Sequence, residues 1–183
     1  NAYNVSTNPT ADTPFHVLVI KCRNYDHNSK YILPVMPSPN LKEMQSIYLY
    51  PSTCFFEGTV FSEGRGTDKP FQYFGHPAMP NNLFSFTPKP NLGAKSSKCF
   101  YQKCYGWDLS GTNEKILKKL GNKSDGYRIQ LKYFIDAYKL FHCKDSFFLK
   151  TNFINKLAGN DIFAQQIKNG LSEAEIRKSW ETA

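Results

Sequence analysis

Between Glu57 and Asp68 the chain gathers three acids (Glu57, Glu63, Asp68), one arginine (Arg65), three small hydroxyls (Thr59, Ser62, Thr67) and three glycines (Gly58, Gly64, Gly66). Apolar runs bracket this stretch, Cys54-Phe55-Phe56 before it and Phe71-Gln72-Tyr73-Phe74 after it. A polar loop between two core-seeking segments is where fixed backbone can hold reactive side chains toward solvent, although an ordinary long turn has the same composition. Paired carboxylates are the working parts of glycosidic-bond hydrolysis, one protonating the leaving oxygen and the other acting as base or nucleophile. Glu57 and Glu63 are therefore the candidate catalytic residues, their convergence being a matter for the fold. Arg65 can hold a substrate carboxylate through a two-pronged hydrogen bond, and Gly64 and Gly66 let a ligand approach the backbone. Thr59, Ser62, Thr67 and Asp68 complete the candidate substrate-binding set.

Other chemistries fit less well. The glycine pattern matches neither a P-loop nor a dinucleotide fingerprint, so no nucleotide cofactor is implied. A nucleophilic reading of Ser62 or Cys54 needs a base, for which His27 and His76 are candidates only by default. Among the five cysteines, Cys99 and Cys104 lack CxxC spacing and no histidine pair completes a metal set. Cys22 and Cys54 lie in apolar runs and read as buried thiols. A Cys99–Cys104 bridge stays open for an oxidising compartment.

The net charge of +8 favours acidic partners in general, but the basic residues are scattered. The densest group, Lys115, Lys118 and Lys119, sits on a short amphipathic helix and reads as a solvated face, and nothing resembles a nucleic-acid-binding motif. No apolar run approaches the 18 residues of a membrane span. Asn1-Ala2 is not a natural start, so the chain reads as an excised fragment whose leader, with room for a further domain, is expected outside it.

Several elements are expected to position the loop. Residues 1–14 read as a polar tail or linker, and 15–183 as one domain. Phe15–Ile20 is β-branched-rich and reads as a buried strand, with His16 structural at its edge. The proline-rich segment 33–39 should be extended. Asn40 with Glu43 makes a capping-box pattern opening a helix from Leu41 to about Phe56, its apolar face on Met44, Ile47, Tyr48 and Phe55 and kinked or restarted at Pro51. Glu57 then lies at the helix C-terminus beside Gly58 as terminator, where the negative dipole end raises its pKa. Short strands are expected at Phe71–Gly75, Leu83–Thr87 and Lys103–Leu109. Helices follow at Glu114–Leu120, at Gly126–His142 with Asp125 as cap and an apolar stripe of Tyr127, Leu131, Phe134, Tyr138 and Phe141, at Asp161–Asn169, and after a Ser172/Glu175 capping box. The class is α+β: an irregular small mixed or antiparallel sheet packed with several helices. With 40% apolar and 15% aromatic residues the chain can build an aromatic core, although ring-rich clefts also bind sugars.

The run Tyr50-Pro51-Ser52-Thr53-Cys54-Phe55-Phe56-Glu57-Gly58-Thr59, followed by Ser62-Glu63-Gly64-Arg65-Gly66-Thr67-Asp68-Lys69-Pro70-Phe71, resembles the bacterial exo-β-N-acetylmuramidase family, long filed as a domain of unknown function. Pro37-Ser38-Pro39-Asn40-Leu41, Gly75-His76-Pro77, Phe86-Thr87-Pro88, the segment 153–161 and Ile176-Arg177-Lys178-Ser179-Trp180 carry the likeness from about residue 15 onward. The resemblance implies the C-terminal domain of a two-domain enzyme of peptidoglycan recycling in the cell envelope, periplasmic or secreted. Such enzymes release N-acetylmuramic acid from the non-reducing ends of wall fragments. The cleft would lie against an N-terminal Rossmann-like domain that this chain lacks, and whose acidic motifs would complete the catalytic set, leaving the isolated fragment inactive. On that footing Arg65 meets the lactyl carboxylate of muramic acid and Glu57 protonates the leaving oxygen. A non-catalytic carbohydrate-binding or interaction module of an envelope protein is the alternative, with an anionic-polymer binder behind it.

Overall fold

The computed structural model describes residues 20–26, 29, 31–121 and 128–181. The chain divides into two compact units, residues 1–32 and 33–183. In the first, Asp26 and Ser29 close a turn through Asp26 N–H to Ser29 Oγ (3.0 Å) and Ser29 Oγ to Asp26 Oδ1 (2.8 Å). The expected tail over 1–14, His16 and the strand before Ile20 lie outside the described residues. Ile20 itself is 85% exposed, and Cys22 is exposed rather than a buried thiol.

The second unit is α+β. Its sheet has strands β1 (Tyr73–His76), β2 (Phe84–Phe86) and β3 (Cys104–Asp108) in the order β1-β3-β2, all antiparallel. All three fall inside the expected runs, give or take a residue at the ends. The helices are α1 (Met44–Thr53), α2 (Asn113–Leu120), α3 (Lys132–Leu140), α4 (Phe153–Ala158), α5 (Phe163–Lys168) and α6 (Glu173–Trp180). A 3-10 turn over Cys54–Gly58 continues directly from α1.

Aromatic packing makes the core. Phe56 stacks on Phe74 with centroids 4.4 Å apart and meets Phe61 at 5.7 Å and Phe134 at 5.2 Å. Phe74 stacks in turn on Trp107 of β3 at 4.9 Å. The turn carrying Glu57 is thus bolted to sheet and helix by its own two phenylalanines, both buried.

The capping box expected at Asn40 and Glu43 does not form. Asn40 Nδ2 donates instead to Gly93 O (2.7 Å), and the Glu43 carboxylate takes Lys69 Nζ (2.9 Å) and Gln72 Nε2 (3.3 Å). The helix therefore starts at Met44 without a side-chain cap. Its buried face is polar: Ser46, Ser52 and Thr53 join Leu49, while Met44, Ile47 and Tyr48 are only partly buried. These hydroxyls tie loop backbone down, Ser46 Oγ donating to Pro70 O (2.8 Å) and Thr53 Oγ1 to Phe71 O (3.0 Å). Pro51 lies inside α1, and the chain tightens into the 3-10 turn just after it.

Helix α3 is shorter than the apolar stripe suggests, because the backbone ahead of it is engaged elsewhere. Gln130 N–H donates to Ser52 Oγ (2.9 Å), Leu131 N–H to Glu173 Oε1 (3.3 Å), and Ile129 O accepts from Arg177. Of the stripe, Leu131, Phe134 and Phe141 are buried and Tyr138 partly so; Asp125, Gly126 and Tyr127 lie outside the described residues. Helix α4 has no counterpart in the sequence reading, and α5 takes its start from Asn160, whose Oδ1 accepts Phe163 N–H (2.9 Å). The Ser172/Glu175 capping box forms as expected.

Gly58 does not end the helix in a left-handed conformation. A Cβ there would come within 2.8 Å of Ile154 N and Cα, so glycine is what lets the Glu57 turn lie on the backbone of α4. Gly58→Ala should destabilise the fold by about 1–3 kcal/mol, the typical cost of overpacking a close contact. Urea denaturation checks this; an unchanged midpoint would mean that α4 yields freely.

Candidate active site

Three of the residues singled out in the sequence converge. Arg65 Nε donates to Glu63 Oε1 at 2.5 Å, and Arg65 Nη2 to Glu57 Oε2 at 3.1 Å. A fourth member, Lys98, arrives from a distant segment and lies 2.8 Å from Glu63 Oε2. Its ammonium also donates to Phe56 O (2.7 Å) and Thr59 O (2.9 Å), the carbonyls on either side of Glu57. Lys98 thereby fixes the turn that carries Glu57 as well as the carboxylate that holds Arg65.

The loop itself is closed by backbone and hydroxyl contacts. Ser62 and Gly75 exchange both backbone hydrogen bonds (2.9 and 3.0 Å), and Phe71 N–H donates to Glu63 O at 2.7 Å. Gly64 (φ +79°) and Gly66 (φ +84°) occupy left-handed backbone, where a Cβ would press on Tyr73 O and Lys89 O at 2.8 Å each. Thr67 Oγ1 donates to Gly64 O (2.7 Å), and Thr59 Oγ1 to Phe56 O (2.8 Å). Ser62 Oγ accepts from Gly64 N–H (3.2 Å). These hydroxyls and glycines shape the loop, with Thr59, Ser62, Gly64 and Gly66 buried. Asp68 is exposed and joins none of the ion pairs found among the described residues.

Glu57 and Arg65 face a cleft of about 340 Å³, lined also by Gly93, Ala94, Lys95, Ser96, Ser97 and Lys98. Ser97 Oγ donates to Arg65 O (3.1 Å), linking the two walls. The environments of the carboxylates diverge. Burial pushes Glu57 above the usual glutamate range, with Arg65 pulling down and Glu63 pushing up. Its side chain is 16% exposed, and Tyr50 adds a minor downward pull. The direction matches the expectation from sequence, but its principal cause is burial rather than the helix dipole. Burial would raise Glu63 too, yet Lys98 and Arg65 outweigh it and hold that carboxylate below the usual range. At 1% exposure Glu63 meets its two cations rather than the cleft. A pair of carboxylates driven apart in this way is the arrangement that lets one carry a proton while the other stays charged.

Lys98 and Tyr50 escaped the sequence reading as site residues. A buried lysine announces itself only through its acceptors, and the Gly93–Cys99 segment reads as an ordinary polar loop. His76 Nδ1 accepts from Ala78 N–H (3.1 Å) and its ring packs on Phe61 and Phe141. No hydrogen bond joins His76 to Ser62 or Cys54 among the described residues, and His27 lies outside them. Cys54 is half-buried, its thiol pushed up to about 11 by burial and then by Glu57. No three His, Cys, Asp or Glu side chains converge to hold a metal ion among the described residues. No helix among them is long and apolar enough to cross a membrane.

Comparison with known proteins adds family context to this geometry. A family model described as exo-beta-N-acetylmuramidase NamZ, C-terminal, matches residues 48–183. Over 165 residues the chain is 31% identical to the peptidoglycan beta-N-acetylmuramidase NamZ of Bacillus subtilis, covering 87% of this chain and 39% of that protein. Among solved structures, a DUF1343 family protein from Bacteroides fragilis matches at a TM-score of 0.78 and 43% identity, over 90% of this chain and 44% of that one. The chain spans less than half the length of both relatives.

Glu63→Gln should cost about 3–5 kcal/mol of stability, because it leaves Arg65 and Lys98 without their shared buried counter-charge. Since Glu63 is held below its ordinary value of 4.5, its contribution is present above that value and lost as pH falls through the depressed one. The stability gap between wild type and Glu63→Gln should therefore be full at pH 7 and shrink on acidification. Thermal melts at a series of pH values check this, and a gap that widens in acid would contradict it.

Proposed function

The chain belongs to the exo-beta-N-acetylmuramidase NamZ C-terminal family, and we propose that it supplies one wall of the active-site cleft of a peptidoglycan-recycling glycosidase. Membership in that family supports a peptidoglycan glycoside hydrolase as the enzyme to which the chain contributes. The observation that carries the finer reading is that Glu57 and Arg65 face one cleft in direct contact. Glu57, raised and partly exposed, is the proton donor to the leaving oxygen. Arg65 keeps N–H groups beyond the two it gives to Glu57 and Glu63, and these receive the lactyl carboxylate of a terminal N-acetylmuramic acid. Glu63, shut away from the cleft, orients Arg65 and Lys98 instead of acting on substrate. Lys95, exposed on the cleft rim, adds to its positive field.

A hydrolase needs a second group to serve as base or nucleophile across the sugar. In this proposal that group comes from a preceding domain of the complete enzyme, and this chain alone does not turn over substrate. The site of action would be the cell envelope, periplasmic or secreted, where wall fragments are produced.

In the complete enzyme, Glu57→Gln should lower kcat about 10²- to 10⁴-fold, the usual contribution of a general acid. Because burial raises the acid form's range, the alkaline limb of wild-type kcat/KM should fall above the ordinary glutamate value of 4.5. Release of muramic acid from wall-derived disaccharides measures both. Near-normal turnover by Glu57→Gln would remove Glu57 from the reaction. Arg65→Lys should raise KM chiefly for substrates bearing the lactyl group, and an equal effect on lactyl-free glucosaminides would argue against carboxylate recognition.

A further inference from the structure

Against Arg65 lies a ring that neither the ion network nor the lining of the cleft includes. Phe71 is 4% exposed, and Arg65 Cζ sits 5.9 Å from its ring centroid, within cation–π range. The ring of Tyr50, on α1, meets Phe71 edge-on, with centroids 4.8 Å apart and an interplanar angle of 80°. The backbone that delivers this ring is out of the ordinary. Phe71 has φ +62°, left-handed backbone that a bulky side chain rarely adopts. Such a conformation costs free energy and persists only where the surroundings over-determine it. Here they do. Phe71 N–H donates to Glu63 O (2.7 Å), and Phe71 O accepts from Thr53 Oγ1 (3.0 Å). The carbonyl just before it, Pro70 O, accepts from Ser46 Oγ (2.8 Å). Glycine would take this backbone at no steric cost, so what phenylalanine supplies is the ring.

We propose that Phe71 is a positioning residue, its ring, backed by Tyr50, fixing the attitude in which the Arg65 guanidinium meets a substrate carboxylate. The inference rests on the reading of Arg65 as the receptor of the lactyl carboxylate. Of the five N–H groups of a guanidinium, Arg65 spends Nε on Glu63 and one Nη2 on Glu57, which leaves three for a ligand. Two in-plane hydrogen bonds let a planar group tilt about the line through their acceptors. A buried ring packed against the guanidinium carbon opposes that tilt. The tilt matters because two-pronged carboxylate binding requires the two planes to match. A third carboxylate in place of Phe71 would hold the cation too, but by consuming N–H groups. The ring attracts the cation through its face and leaves every remaining donor to the substrate.

Steady-state kinetics of the complete enzyme test this with two substrates, a muramic-acid disaccharide and a lactyl-free glucosaminide. The readout is the ratio of their KM values. Phe71→Leu keeps an apolar side chain but removes the ring, and should raise KM for the lactyl substrate about 2- to 10-fold relative to the lactyl-free one, with kcat changed less than KM. A merely structural role would lower Tm and move both substrates together. Trifluorophenylalanine at position 71 keeps the shape and drains the ring face of charge, and should raise the same ratio about 2- to 5-fold. It decides the question if Phe71→Leu fails to fold. An unmoved ratio in these variants, while Arg65→Lys shifts it, would overturn the positioning role and leave the carboxylate role of Arg65 standing. An unmoved ratio in Arg65→Lys itself would overturn that role, and the present inference with it.

Discussion

A carboxylate sealed from water cannot stay charged unless cations come to it, and Glu63 is such a carboxylate. Desolvating it alone would cost several kcal/mol, so the fold must deliver both Arg65 and Lys98 to its two oxygens. Arg65 comes from the same loop, through a turn that only left-handed Gly64 and Gly66 make compact. Lys98 comes from the connection between β2 and β3, which obliges the chain after β2 to return to the Glu57 turn before entering β3. Having arrived, Lys98 also satisfies the Phe56 and Thr59 carbonyls. One buried charge thus sets the backbone on both sides of Glu57.

That arrangement divides two glutamates of the same loop into different electrostatic roles. Glu63 is stabilised as an anion by two cations; Glu57 has to share one of those cations and is pushed toward its protonated form by burial. Around them, aromatic stacking of Phe56 on Phe74 and of Phe74 on Trp107 makes the base rigid, so small displacements at Glu57 are resisted by the core rather than absorbed by the loop. The cleft between Glu57 and the Gly93–Lys98 segment is consequently a cation-rich surface with one carboxyl pushed toward its protonated form.

Much of this was legible in the sequence, and for identifiable reasons. The three strands announced themselves because Gly, Pro and Asn punctuate short aromatic runs, and the Ser172/Glu175 box because its two bonds are local. Glu57, Glu63 and Arg65 stood out as candidates because all three lie within one short loop, but their convergence is visible only in the fold. What failed was whatever depends on distant partners. Asn40 and Glu43 have the right spacing for a capping box, yet Gly93, Lys69 and Gln72 offered them better partners. Gly58 looked like a helix terminator and is instead the point of contact with α4. The α1 face nearest the loop is polar because it binds loop carbonyls, which no hydrophobic periodicity reveals. Lys98 was one basic residue among many until its acceptors were in view.

The claim on which the rest depends is that Glu63 and Lys98 act as one unit. A double-mutant cycle of Glu63→Gln and Lys98→Met, read as unfolding free energies in urea at pH 7, tests it most directly. The double variant should be less damaged than the two single variants sum to, with a coupling of about 1–3 kcal/mol for groups in one buried network. Additivity within about 0.5 kcal/mol would contradict it, since two residues that do not sense each other cannot share a buried charge.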